Sequence, residues 1–136
     1  MTATFAKVFI TKTDASGEQA ECWVNLPSVE LIYETEAGIR LAFNNTGYSV
    51  TDAASIEAVK EQAKKLGFIE ILVSSNGQES VYALLNFCQV ESIYRDDTNN
   101  DRKIVINFNE GAVEVLDPES ISRIEKALEK LTPPTT

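Results

Sequence analysis

The chain nearly repeats itself, and that constrains its fold more than any other feature. Residues 25–33 read Asn-Leu-Pro-Ser-Val-Glu-Leu-Ile-Tyr, and residues 86–94 read Asn-Phe-Cys-Gln-Val-Glu-Ser-Ile-Tyr. Asn25, Val29, Glu30, Ile32 and Tyr33 meet identical residues 61 positions on. Farther along, the match resumes at a spacing of 65. Ile39, Phe43, Asn44, Val50, Asp52, Ser55, Ile56, Lys65 and Leu66 meet Ile104, Phe108, Asn109, Val115, Asp117, Ser120, Ile121, Lys130 and Leu131. The extra four residues fall near Asp96-Asp97-Thr98-Asn99-Asn100-Asp101-Arg102. Collinear self-similarity of this kind predicts one structural unit used twice.

The unit can be read from its local chemistry. It opens with an apolar strand, residues 5–11 in the first copy and 68–74 in the second, followed by a turn at Ser16-Gly17 or Asn76-Gly77. The return strand alternates: Ala20, Cys22, Val24 and Leu26 share one face, as do Val81, Ala83, Leu85 and Phe87. After a corner come residues 29–33 and 90–94, rich in β-branched and aromatic side chains. The next strand carries Ile39, Leu41 and Phe43, or Ile104, Ile106 and Phe108, and a turn leads to a short strand ending at Val50 or Val115. The period then changes. Ile56, Val59, Ala63 and Leu66, like Ile121, Ile124, Leu128 and Leu131, form one helical stripe. Asp52 and Asp117 stand at the N-cap position with Ser55 and Ser120 three residues on, Pro118 fits the first helical position, and Gly67 fits the residue just past the first helix.

The expected fold class is therefore α+β: an internally duplicated β-β-β-β-β-α unit. It would form antiparallel sheets or small barrel-like halves with one helix each, related by a pseudo-twofold. Repeat one spans about 4–66 and repeat two about 68–131, with a disordered tail at 132–136 after Pro133-Pro134. Only Gly67 separates the first helix from the next strand, and a single unit of this size buries too little surface to be robust alone. One domain with a shared core over residues 1–136 is expected.

Composition narrows the function. Twelve basic against twenty-one acidic residues give a net charge of −9, a poor balance for neutralising phosphates. With no histidine, the usual Ser–His and Cys–His nucleophiles and most transition-metal sites are excluded. No Gly-x-Ser-x-Gly, Gly-rich phosphate loop or Cys-x-x-Cys occurs. Cys22 and Cys88 lie in apolar stretches and read as small buried thiols, in keeping with a cytoplasmic location. No apolar run approaches a membrane span, and the N-terminus reads as having no secretory leader. No cofactor is expected.

A few residues could carry function. Glu30 and Glu91 occupy equivalent positions inside apolar strands; they could meet near the twofold, or simply occupy exposed positions at the corner. Trp23, Tyr33 and Tyr94, with Tyr48 and Tyr82, could form an aromatic recognition patch, but the reading preferred here is a second buried layer under the helices. Asn25 and Asn86 suit local backbone bonding at the corner. Asp97, Asn99 and Asp101 alternate as oxygen ligands do in calcium loops. The sixth and twelfth positions, which need Gly and Glu, hold Arg102 and Phe108, so this is no EF-hand, and a polar hairpin tip is expected.

The pattern of Asn25, Val29, Ile32, Ile39, Leu41, Ser55 and Ile56, with its second-copy partners, resembles two families across most of both halves. One is the FlbD-like flagellar protein, a single module about as long as one copy; the other is the LytTR transcription-factor domain. The second resemblance implies DNA binding, and the acidic balance departs from the contact surface this requires. The sequence thus favours a non-enzymatic protein-binding or scaffolding module, regulatory in role, with a protein partner or self-association as a dimer through a sheet edge or face. Two alternatives stay open. One is a nucleic-acid-associated regulator, either an acidic DNA mimic or a binder through Arg40, Lys60, Lys64, Lys65, Arg95, Arg102 and Lys103. The other is a small-molecule site between the repeats.

Overall fold

A computed structural model describes residues 3–12, 16–44, 46–74, 80–97 and 102–133. The first half runs β1 (Phe5–Thr11), β2 (Gln19–Asn25), a 3-10 turn (Leu26–Ser28), β3 (Leu31–Glu34), β4 (Ile39–Phe43), β5 (Thr46–Val50) and α1 (Ala53–Lys65). The second half runs β6 (Ile69–Val73), β7 (Val81–Leu85), a 3-10 turn (Phe87–Gln89), β8 (Ser92–Asp96), β9 (Lys103–Phe108), β10 (Gly111–Val115) and α2 (Pro118–Leu131). The α+β class and antiparallel sheets are as the sequence predicts, and the order of elements is the same in both halves. The corner contains a 3-10 turn, so β3 and β8 begin later than the β-branched run suggests. The Asn76-Gly77 turn and the end of the tail lie outside the described residues, as does Asn45.

Seven strands pair in the order β2-β1-β5-β4-β3-β7-β6, and three in the order β10-β9-β8. Every ladder is antiparallel. The two sheets touch through one bridge, where Ser74 and Glu114 exchange backbone hydrogen bonds of 2.8 Å. The β3–β7 ladder joins the halves, placing Leu31 opposite Leu85, Ile32 opposite Leu84 and Tyr33 opposite Ala83.

The barrel-like expectation is corrected. Among the described residues β2 and β8 are the outer strands and no ladder joins them, so no closed barrel forms. A second gap opens between β1 and β5, which among the described residues share only the Thr11–Ser49 pair. The N-terminus of α1 fills that gap. Asp52 accepts the Ser55 N–H at 3.0 Å and the Ser55 hydroxyl at 2.8 Å, while Ser55 Oγ accepts the Phe9 N–H at 3.0 Å. Asp117, Ser120 and the Leu72 N–H make the same three bonds at the start of α2. Each cap thus satisfies orphan helix donors and a strand donor that has left its ladder. Gly67, with φ +91°, ends α1 as expected.

Two apolar clusters hold the fold. One gathers Val8, Ile10, Val24, Leu26, Ile39, Leu41, Val50, Val59 and Ala63, and takes in Leu84 from the second half. The other gathers Ile71, Val73, Leu85, Ile104, Ile106, Phe108, Val113, Ile121 and Ile124, and takes in Leu31 from the first. The exchange of Leu31 and Leu84 is a direct consequence of the β3–β7 ladder. Of the helical stripes, Val59, Ala63, Ile121 and Ile124 are buried, Ile56 and Leu128 are half-buried, and the last residues, Leu66 and Leu131, are exposed.

Candidate functional site

β1 buries Ala6, Val8 and Ile10, so alternation turns Phe5, Lys7 and Phe9 to the opposite face. The β1–β2 register sets Phe5 across from Asn25, Lys7 from Trp23 and Phe9 from Glu21, and directly opposed residues share a face. The face so formed is open. Phe5 is 59% exposed, Phe9 44% and Trp23 60%. Lys7 Nζ lies 5.4 Å from the Trp23 ring centroid and 3.7 Å from Glu21 Oε1.

This overturns the expectation that helices cover the aromatic residues. Val59 and Ala63 of α1 pack with Val8 and Ile10, on the other side of β1. Tyr82 and Tyr94 are exposed as well. Tyr33 differs: it is half-buried against the second apolar cluster. Tyr48 meets Phe43 edge-on, with centroids 5.7 Å apart. The expectation of buried thiols is corrected too, since Cys22 is half-buried and Cys88, on the 3-10 turn, is exposed.

Beside the outer strand β2 lies an open groove of about 250 Å3 lined by Cys22, Trp23, Val24, Asn25, Phe43, Thr46 and Tyr48. The matching positions of the second half, including Ala83, Leu85, Phe108 and Val113, are filled. Leu31, Tyr33 and Ala42 of the first half pack there. The groove at β2 thus corresponds, position for position, to the surface on which β3 packs in the second half.

Glu30 lines a separate open depression with Arg40, Phe43, Asn44, Thr46, Glu110 and Gly111. Burial pushes the Glu30 carboxyl up, and the negative charge of Glu110 adds to the shift. Tyr33 is raised by its burial and then by Glu30. The acid that acts on Glu30 is Glu110, which no motif or spacing singles out. Glu91 is exposed at the end of the second-half corner, just before β8, where its N–H donates to Asn107 O at 2.8 Å, and it does not line this depression.

Asn25 and Asn86 also differ. Asn25 bonds locally, donating to Ser28 Oγ at 3.1 Å and accepting from Thr4 N at 3.2 Å. Asn86 reaches across the halves: its Nδ2 donates to Pro27 O and Val29 O, both at 2.9 Å. Asp97 is exposed, while Asn99 and Asp101 lie outside the described residues. No group of three acidic, cysteine or histidine residues suited to a metal occurs among the described residues.

The basic residues that could have formed a phosphate-binding patch are largely committed to acids. Lys60 pairs with Glu34 at 2.8 Å, Lys65 with Glu61 at 3.4 Å, and Arg95 and Arg102 both with Glu125, at 2.5 and 2.8 Å. Lys103 pairs with Glu114 at 2.6 Å and Asp96 at 3.7 Å. No helix among the described residues is long and apolar enough to cross a membrane. Compared with known proteins, the chain matches no family model, no curated protein and no solved structure.

Proposed function

We propose that the protein is a non-enzymatic protein-binding module whose binding surface is the β2 edge with its aromatic face. The observation that carries this reading is the juxtaposition of the Trp23-lined groove with an outer strand. Edge strands offer unpaired backbone groups to an extended partner, and adjacent pockets select its side chains. Trp23, Phe5 and Phe9 supply rigid contact area of the kind that dominates protein interfaces.

The same reading takes the chain to be a duplicated unit folded as one pseudo-symmetric domain, each half a module of the kind the FlbD-like resemblance implies. Matching strand registers support it: Ala6 pairs with Val24 as Ile69 does with Leu85, Tyr33 with Arg40 as Tyr94 with Val105, and Ile39 with Val50 as Ile104 with Val115. In such a unit, the free side of the β2-type strand is a joint. β7 uses it to hold β3 within the chain.

The test is photo-cross-linking in the native host. A photoreactive phenylalanine analogue at position 23 is expected to capture a protein in a defined adduct, while the same group at the exposed Ser122 on α2 captures none. The absence of any adduct at position 23, or equal capture at 122, would refute the reading.

A further inference from the structure

We infer that β2 pairs antiparallel with β2 of a second copy of this chain, in a twofold dimer centred on Cys22. The inference rests on the proposed role of this edge and names its occupant. Three observations select a second copy. The first is the symmetry of the strand itself. β2 spans Gln19–Asn25 with Cys22 at its midpoint, so full overlap places Gln19 opposite Asn25, Ala20 opposite Val24, and Glu21 opposite Trp23 of the second copy. The apolar set, Ala20, Cys22 and Val24, meets its own kind on the core side.

The second observation is charge. The chain carries a net charge of −9, which opposes most approaches of two copies. At this edge Glu21 is balanced by Lys7 of the same face. In the proposed register Glu21 comes beside the Trp23 of the second copy, over which that copy's own Lys7 sits. The attraction is made twice by the twofold, as isologous contacts require.

The third is the contrast with the other outer strand. β8 is guarded. Asn107 Nδ2 of the neighbouring β9 donates to Ser92 Oγ at 3.2 Å, Arg95 is held by Glu125, and Asp96 by Lys103. Polar and charged positions of this kind block strand addition. β8 is thus a poor partner for β2, and head-to-tail growth is disfavoured. β2 has paired polar residues of its own, Gln19 with Thr11 and Glu21 with Lys7, but its central Cys22-Trp23-Val24 stretch is uncharged.

The experiment uses the full chain carrying Cys88→Ser, which removes the exposed competing thiol. Sedimentation equilibrium should fit a monomer–dimer system without larger species. Mild oxidation should then trap a Cys22–Cys22 dimer, because directly opposed residues in an antiparallel pair have Cα atoms about 4.5–5.5 Å apart, within disulfide reach. Trp23→Lys should weaken association by at least about tenfold, as loss of a central aromatic anchor does; circular dichroism checks that it folds. Should it fail to fold, the oxidation result, obtained with Trp23 in place, still decides.

Three results would overturn the inference: a monomer at every concentration, a dimer indifferent to Trp23→Lys that gives no Cys22 cross-link, or a ladder of polymers of the kind β8–β2 pairing produces. A monomer whose position 23 still captures a different protein overturns self-pairing and leaves the protein-binding reading standing. A monomer that captures nothing removes both.

Discussion

Asn86 offers the sharpest test of how the two halves are held together. It is only 4% exposed, and its side chain makes three bonds: two donated to Pro27 O and Val29 O at 2.9 Å, and one accepted from Cys88 N at 3.1 Å. Asn86→Ala removes all three. A typical buried hydrogen bond contributes a net of about 0.5–1.5 kcal/mol, and a partner left unsatisfied costs about 1–3 kcal/mol. Pro27 O keeps a second donor, Gln89 Nε2 at 2.8 Å, so the loss falls mainly on Val29 O and Cys88 N. The expected destabilisation is about 2–4 kcal/mol. Asn25→Ala removes two bonds at a partly exposed site within one half, for about 1 kcal/mol. Asn86→Asp keeps the shape and the Cys88 bond but aims a carboxylate at two carbonyl oxygens. It should be at least as damaging as alanine near neutral pH and recover toward acid, where protonation restores a donor. Urea unfolding followed by far-UV circular dichroism measures all three against the parent, compared at unchanged m-value. If Asn86→Ala and Asn25→Ala agree within about 0.5 kcal/mol, the cross-half bonds do not contribute as the geometry requires.

Three further predictions follow from the fold. Ser55→Ala and Ser120→Ala should each cost about 1–3 kcal/mol in urea unfolding, because each leaves a strand N–H unpartnered, and the double variant should be additive within about 0.5 kcal/mol. Because Glu30 is raised in the folded state, the fold holds its proton more tightly than the unfolded chain, so this group's contribution to stability falls as pH rises from the ordinary carboxylate range through the raised value. Glu30→Gln should remove that decline from a melting-temperature profile and stabilise the protein only slightly near neutrality, because solvent screens this partly exposed group, and an unchanged profile would count against it. Gly38→Ala places a Cβ 2.3 Å from Val50 O and 2.9 Å from Ile56 Cδ1, so thermal melts should show a loss of about 1–3 kcal/mol.

What the sequence made legible was local. Alternation identified the buried faces of β4 and β9, and the Asp-x-x-Ser pairs marked both helix starts, because these signals act over a few residues. What it hid depends on contacts between distant segments. Asn25 and Asn86 look alike in sequence, yet only Asn86 has the other half's carbonyls within reach, because β7 is paired and β2 is not. The period put Trp23 on the face opposite Cys22 and Val24, but a period cannot say whether that face is covered. Coverage depends on where α1 docks, and α1 docks on the core side of β1. Glu30 likewise carries no sign of Glu110, which a turn of the other half brings near it.

The differences between matched positions explain why the chain joins its halves once and not twice. Leu31 and Ala42 form the face of β3 and β4 that packs into the second cluster. Their counterparts, 61 and 65 residues on, are Ser92 and Asn107, which bond each other instead. A face that seals an apolar seat has become one that suits water, since two apolar side chains are replaced by polar ones that satisfy themselves. Leu84, buried at the β3–β7 ladder, corresponds to Trp23, which stands open beside an unfilled groove. The capping pairs, by contrast, are the same in both halves down to the strand N–H they receive. The halves therefore differ at the joints and agree in the framework. Ser92 and Asn107 thus make β8 polar at the positions where β3 is apolar, while the outer strand β2 borders a groove lined by Cys22, Trp23 and Val24.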